Sequence, residues 1–240
     1  DEQTGHLTVE GNVGSIFGLV TSGNLRRFGE IDPGGNADLQ TPNAYKEQDV
    51  AANADLRFGR HVVWELSAHH VNLDEVPKYE PDVYFQMFDP QTRDLFYSKV
   101  HLLDLSKYLD RVVMFGSYHR QLEGRVKYEE NDDQTSLIKT EDEDIAKTWG
   151  GGLQLESPIG HWVRFVAGGE FYHDTIVSTR GQGDWKGELF DADPQYPDDS
   201  KYLSAAGYLE ARFTPLKWLK IVPGVRYSYF APDITLEDPT

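Results

Sequence analysis

YLSAAGYLEARFTPLKWLKIVPGVRYSYF, residues 202–230, alternates apolar and polar side chains on both sides of a short turn. Before the turn, Leu203, Ala205, Gly207, Leu209, Ala211 and Phe213 share one face, opposite Ser204, Ala206, Tyr208, Glu210 and Arg212. After Thr214-Pro215-Leu216-Lys217, the residues Leu219, Ile221, Pro223, Val225, Tyr227 and Tyr229 oppose Lys220, Val222, Gly224, Arg226, Ser228 and Phe230. A period of two residues marks a strand with two different environments. The same pattern flanks three other turn clusters: Gly59-Arg60-His61, Ser106–Asp110 and Ser157-Pro158-Ile159-Gly160. Strands are predicted near 7–20, 45–58, 62–75, 95–106, 111–130, 147–157, 162–180, 200–214 and 218–231. Long polar connections are predicted near 21–44, 76–94, 131–146 and 181–199.

Short turns on one side and long loops on the other are the asymmetry of a transmembrane β-barrel. Several predicted strands exceed the 5–6 residues usual in soluble sheets and suit the roughly 9–11 residues a tilted strand needs to cross a bilayer. Aromatic residues bound the apolar face, with Phe213 and Trp218 at one end and Tyr227 and Tyr229 at the other, like interfacial girdles. A soluble β-sandwich, propeller or β-rich binding module is the competing architecture; such folds rarely keep alternate connections short. The expected fold class is therefore all-β: a partial antiparallel up-and-down transmembrane barrel of about nine strands, with long outer loops and short periplasmic turns.

Composition narrows the functions. No apolar run approaches the roughly 18–20 residues of a transmembrane helix. The net charge of −17 argues against nucleic acid as a partner. The absence of cysteine rules out disulfides and thiolate metal sites. There is no Gly-x-Ser-x-Gly, His-Glu-x-x-His or phosphate-cradling glycine loop, so no catalytic residues are assigned and no enzyme is expected. Gly150-Gly151-Gly152 lies within a strand pattern, where glycine permits close backbone approach or curvature.

Three stretches carry a family resemblance. Residues 202–230 resemble a recurrent hairpin of TonB-dependent outer-membrane receptors, whose apolar strand ends in Pro-Gly-x-Arg-Tyr, here Pro223 to Tyr227. TWGGGLQLESPIGHWVRFVAGGEFYHD (148–174) is similar to the preceding hairpin, with its Gly-x-Glu-(Phe/Tyr)-Tyr ending. VNLDEVPKYEP (71–81) resembles the Val-Pro-(Arg/Lys)-Tyr exit into an outer loop. The resemblance implies a barrel of about 22 strands closed by an N-terminal plug. It also implies energised uptake of a scarce nutrient of the iron–siderophore, haem or cobalamin class across the bacterial outer membrane. Residues 1–240 are then expected to be a partial barrel domain, roughly the first half. The expected partners are outer-membrane lipid and lipopolysaccharide, the plug and remaining strands, the TonB complex acting through the plug, and a small nutrient ligand. No cofactor is implied. A passive porin-like channel and an outer-membrane enzyme barrel are the alternatives.

Candidate site residues follow from face and chemistry. His69 and His119 fall on the lumen-facing side, where imidazole suits haem iron or a transition metal. His70 and His173 point the other way. Asp191, Asp193, Asp198 and Asp199 could offer oxygen ligands to Ca²⁺, although acidic runs such as Glu129–Asp133 and Glu141–Asp144 also serve simply to keep loops solvated. Glu65, Arg164, Glu170, Glu210, Lys220 and Arg226 are expected to face the lumen and pair across strands or meet the plug.

Overall fold

The computed structural model describes residues 2–31, 35, 42–78, 83–131, 136–197 and 199–234. Thirteen strands form one sheet: β1 (Glu2–Val13), β2 (Phe17–Phe28), β3 (Tyr45–Phe58), β4 (Val62–Asp74), β5 (Val76–Pro77), β6 (Phe85–Ser106), β7 (Leu109–Glu130), β8 (Leu137–Ile159), β9 (Val163–Asp184), β10 (Phe190–Asp191), β11 (Ser200–Leu216), β12 (Leu219–Ile221) and β13 (Gly224–Asp233). The order is β1-β2-β3-β4-β6-β7-β8-β9-β11, with β12 and β13 both on β11. The two-residue strands β5 and β10 edge β6 and β9. Every pairing is antiparallel, and each long strand bonds to its sequence neighbours in an up-and-down meander. Among the described residues β1 pairs only with β2 and β13 only with β11, so the sheet is open at both edges.

Three predicted strands are corrected. The segment predicted as one strand over 7–20 is the end of β1, a turn and the start of β2. Val13 pairs with Phe17 across a three-residue turn, so both face the same way and the alternation runs through in phase. The signal lay in Gly14, whose φ is 57°. Gly59 and Gly160 hold the same position in the turns after Phe58 and Ile159, with φ of 64° and 67°, a left-handed backbone that favours glycine. Strands β6 and β8 also begin earlier than predicted, at Phe85 rather than near 95 and at Leu137 rather than near 147. The acidic residues 141–144 therefore lie in a paired strand, because their backbone is satisfied by β7 and β9. Counting β12 and β13 as one strand broken at Val222-Pro223, ten long strands replace the expected nine.

There is almost no core. Among the described residues only Val112 and Val166 are buried hydrophobics. The accessible surface is 16359 Å², against roughly 11,000 Å² for a compact protein of this mass. Register fixes which residues share a face. Val13, Phe17, Leu56, Trp64, Val100, Met114, Leu153, Gly169, Gly207 and Tyr227 lie in one hydrogen-bonded row, on the same side of the sheet. That side also carries Leu203, Leu209, Ile221 and Val225, all at least 38% exposed, as expected of lipid-facing positions. Phe165 shares the face but is half-buried between its neighbours on β8 and β11.

The opposite face is concave. On it, side chains bond across an intervening strand: Tyr208 Oη on β11 donates to Gln154 Oε1 on β8 at 2.7 Å, and Arg226 on β13 reaches Glu170 on β9 at 2.5 Å. Such reaches need a surface that curves side chains toward each other. The glycines of this face form slots for aromatic rings. A Cβ at Gly150 would lie 2.5 Å from the Tyr172 ring, and one at Gly168 2.5 Å from Tyr208 Oη. At Gly152 it would meet Phe115 at 2.5 Å and the Gly169 carbonyl at 2.8 Å. Ring rotation cannot relieve the backbone clash, so Gly152→Val is expected to cost about 1–3 kcal/mol. Gly11, with nothing within 4 Å, is expected to accept valine with little loss. Denaturant midpoints of the two variants in detergent check this contrast.

Candidate functional site

The lumenal face carries the polar chemistry, in three levels. Near the short-turn end an ionic chain crosses five adjacent strands. Glu65 on β4 lies 3.8 Å from Lys99 Nζ and 3.3 Å from His101 Nε2 on β6. Arg111 on β7 donates to His101 Nδ1 at 2.9 Å, which leaves the neutral imidazole proton on Nε2, toward Glu65. Arg111 also faces Glu156 on β8 at 3.7 Å, and Arg164 on β9 holds Glu156 at 3.1 Å and Asp110 at 2.7 Å. Alternating charge offsets much of the cost of the largely buried Glu156 and His101. Lys220 joins Arg164 and Arg212 around a hollow of about 310 Å³ at this end.

The middle level is aromatic: Tyr97 stacks on Phe115 at 5.9 Å between ring centroids, and Tyr172 and Tyr208 lie over their glycine slots. Higher, in one row, stand His69, Leu95, His119, Thr148 and Asp174. The structure thus places both histidine candidates on the lumenal face, two strand spacings or about 10 Å apart, with Leu95 between them. Arg93 Nε donates to His119 Nε2 at 2.9 Å, so that nitrogen is occupied and the other carries the proton. Thr148 donates to Asp174 at 2.5 Å.

The outer extension of β7, β8 and β9 holds a feature that sequence reading missed. Asp142, with a side chain 1% exposed, accepts from Arg125 Nε at 2.8 Å and Nη2 at 2.5 Å, and from Arg180 Nε at 2.6 Å. The bonds at its two oxygens clamp three strands together. In the sequence Asp142 is one of four consecutive acids; only the register with Arg125 and Arg180 sets it apart.

The acidic candidates are less gathered. Asp191 sits in β10, and Asp193 and Asp199 are exposed; Asp198 lies outside the described residues. Among the described residues no group of three His, Asp or Glu side chains is placed to hold a metal ion. Glu65, Arg164, Glu170, Glu210 and Arg226 all fall on the lumenal face, and His70 and His173 on the outward face, as expected.

No family model matches the sequence, and no curated protein matches it. Solved structures do. The copper transporter OprC superposes with a TM-score of 0.76 at 13% identity, over 99% of this chain and 38% of its own. The fold is that of part of the β-barrel wall in this solved structure. FpvA of P. aeruginosa, solved with an iron–pyoverdine complex, gives 0.69 at 10% identity, over 98% of this chain and 36% of its own. The ferric citrate transporter FecA gives 0.67 at 14% identity, over 95% and 35%. The chain spans less than two-fifths of the length of each of these three, two of which are named as transporters.

Proposed function

We propose that this chain is part of the barrel wall of an outer-membrane receptor that takes up a scarce nutrient through a gated, energised route. The observation that carries the reading is the sheet itself: an apolar convex face, a charged concave face and two edges unpaired among the described residues, superposable along nearly its whole length on a copper transporter. Unpaired backbone groups cost several kcal/mol each in hydrocarbon. Further strands from the same protein are the natural cover for β1 and β13, which makes residues 1–240 a partial barrel domain. The inner ionic chain from Glu65 to Arg164 offers a docking wall for a plug, through which a TonB complex would act. His69 and His119 belong to the wall a ligand would pass, and an iron–siderophore, haem or cobalamin-class nutrient fits the reading. Loop Ca²⁺ at Asp191, Asp193, Asp198 and Asp199 is a subsidiary part of it.

The test uses the complete protein. Cells lacking it are expected to lose uptake of one labelled iron complex or cobalamin, and deleting TonB is expected to abolish the uptake equally. In planar bilayers the purified protein is expected to show no steady conductance. A steady ohmic conductance with TonB-independent uptake would replace this reading with a passive porin-like channel.

A further inference from the structure

Beyond the apolar band, the outward face carries a charged notch. On β8 the outward residues from Ile159 to Trp149 cover about ten residue steps, roughly 26 Å along the membrane normal at the usual strand tilt. That matches the apolar band of a membrane barrel, roughly 25 Å tall. It places Trp149, Tyr118 and Phe96, which share one row, at an interface. Trp149 and Tyr118 rings pack 4.5 Å apart. One step farther out, roughly 5 Å, the next outward row holds His70, Asp94, Arg120 and Lys147 on four adjacent strands. Asp94 is shared, 2.6 Å from His70 Nδ1 and 3.6 Å from Arg120. Lys147, half-buried, has no carboxylate within 4 Å among the described residues. The row beyond holds Asn72 and Thr92 on β4 and β6 and Leu122, Ile145 and Val177 on β7, β8 and β9, so apolar side chains border Arg120 and Lys147 on the outer side.

We propose that Arg120 and Lys147 form a docking site for a phosphate group of a phosphorylated glycolipid in the outer leaflet. Cations at this depth on a lipid-facing wall meet headgroup phosphates before any other anion. Arginine adds a planar fork suited to phosphate oxygens, lysine a mobile point charge, and the tilted Trp149–Tyr118 pair an aromatic floor for the attached sugar. Asp94 lies 3.6 Å from Arg120 Nη1 on one side, and Lys147 stands opposite Arg120 on the next strand. This inference rests on the outer-membrane reading above.

The test is native mass spectrometry of the complete protein, delipidated and titrated with lipid A carrying two, one or no phosphates. A one-to-one adduct is expected, at least tenfold tighter with the doubly phosphorylated lipid than with the phosphate-free one. In R120Q/K147Q that preference is expected to vanish, while K139Q, outside the notch, keeps it. R120K/K147R retains both charges and is expected to retain most of the preference, which covers a double variant that fails to fold. Equal binding of all three lipids to the wild type, an unchanged preference in R120Q/K147Q, or displacement of the lipid by millimolar inorganic phosphate would overturn the proposal. Cell fractionation separates the two readings: a protein absent from the outer membrane sinks the parent reading, while one present there without phosphate preference sinks only this one.

Discussion

Asp142→Ala is expected to be the most damaging single change in the lumenal face. It would leave Arg125 and Arg180 facing each other across β8 with no carboxylate between them, where now both bind one almost fully buried side chain. Breaking a buried pair by removing one partner costs about 3–5 kcal/mol. The arginines retain some exposure, 17% and 26% of their side chains, so the lower end of that range is expected. The loss should be local. Asp142 lies seven residues outward of Trp149, beyond the apolar band, where lipid no longer restrains the strands and the ladder and side-chain bonds alone hold β7, β8 and β9 together. Amide hydrogen exchange is therefore expected to accelerate around residues 125, 142 and 180 by about a hundredfold or more, with protection near Leu153 unchanged. Arg180→Gln, which leaves the Arg125–Asp142 pair intact, should cost markedly less. Unchanged protection in Asp142→Ala would mean that the clamp contributes nothing.

The contrast between what was legible and what was not has one physical source. Period-two alternation reports faces, so the outward set around Leu203, Leu209 and Val225 and the lumenal charges Glu170, Glu210 and Arg226 could be read directly from sequence. Alternation says nothing about where a strand reverses when the turn preserves parity, which is why the reversal between Val13 and Phe17 was hidden. It is equally silent on register. The Asp142 clamp and the chain through His101, Arg111 and Glu156 depend on which residues of neighbouring strands stand opposite, and that is set by the lengths of the intervening turns and loops. The acidic stretch 141–144 falls in a predicted connection, near 131–146, because a run of charge ordinarily marks solvent. In this wall Asp142 and Asp144 instead face inward to Arg180 and Ser178, while Glu141 and Glu143 face outward.

A charge placed at mid-height should behave in opposite ways on the two faces. Leu153 is 43% exposed and sits on the outward face about halfway between Trp149 and Ile159. Its neighbour Gln154 faces the lumen, where it bonds Tyr208 and Glu156. Leu153→Arg is expected to destabilise the inserted protein by about 2–4 kcal/mol, the cost of a guanidinium at the midplane of a barrel's lipid face. Gln154→Arg places the same group one residue away beside the Glu156 carboxylate, and should cost only about 1 kcal/mol for the lost hydrogen bond from Tyr208. In water the ranking would reverse: an exposed Leu153 would accept arginine freely, and the more enclosed Gln154 would not. Equilibrium unfolding of the complete protein in lipid bilayers, with each variant compared to wild type, measures the difference. Equal losses at 153 and 154, or a larger loss at 154, would show that the convex face does not meet lipid and would return the chain to a water-facing sheet.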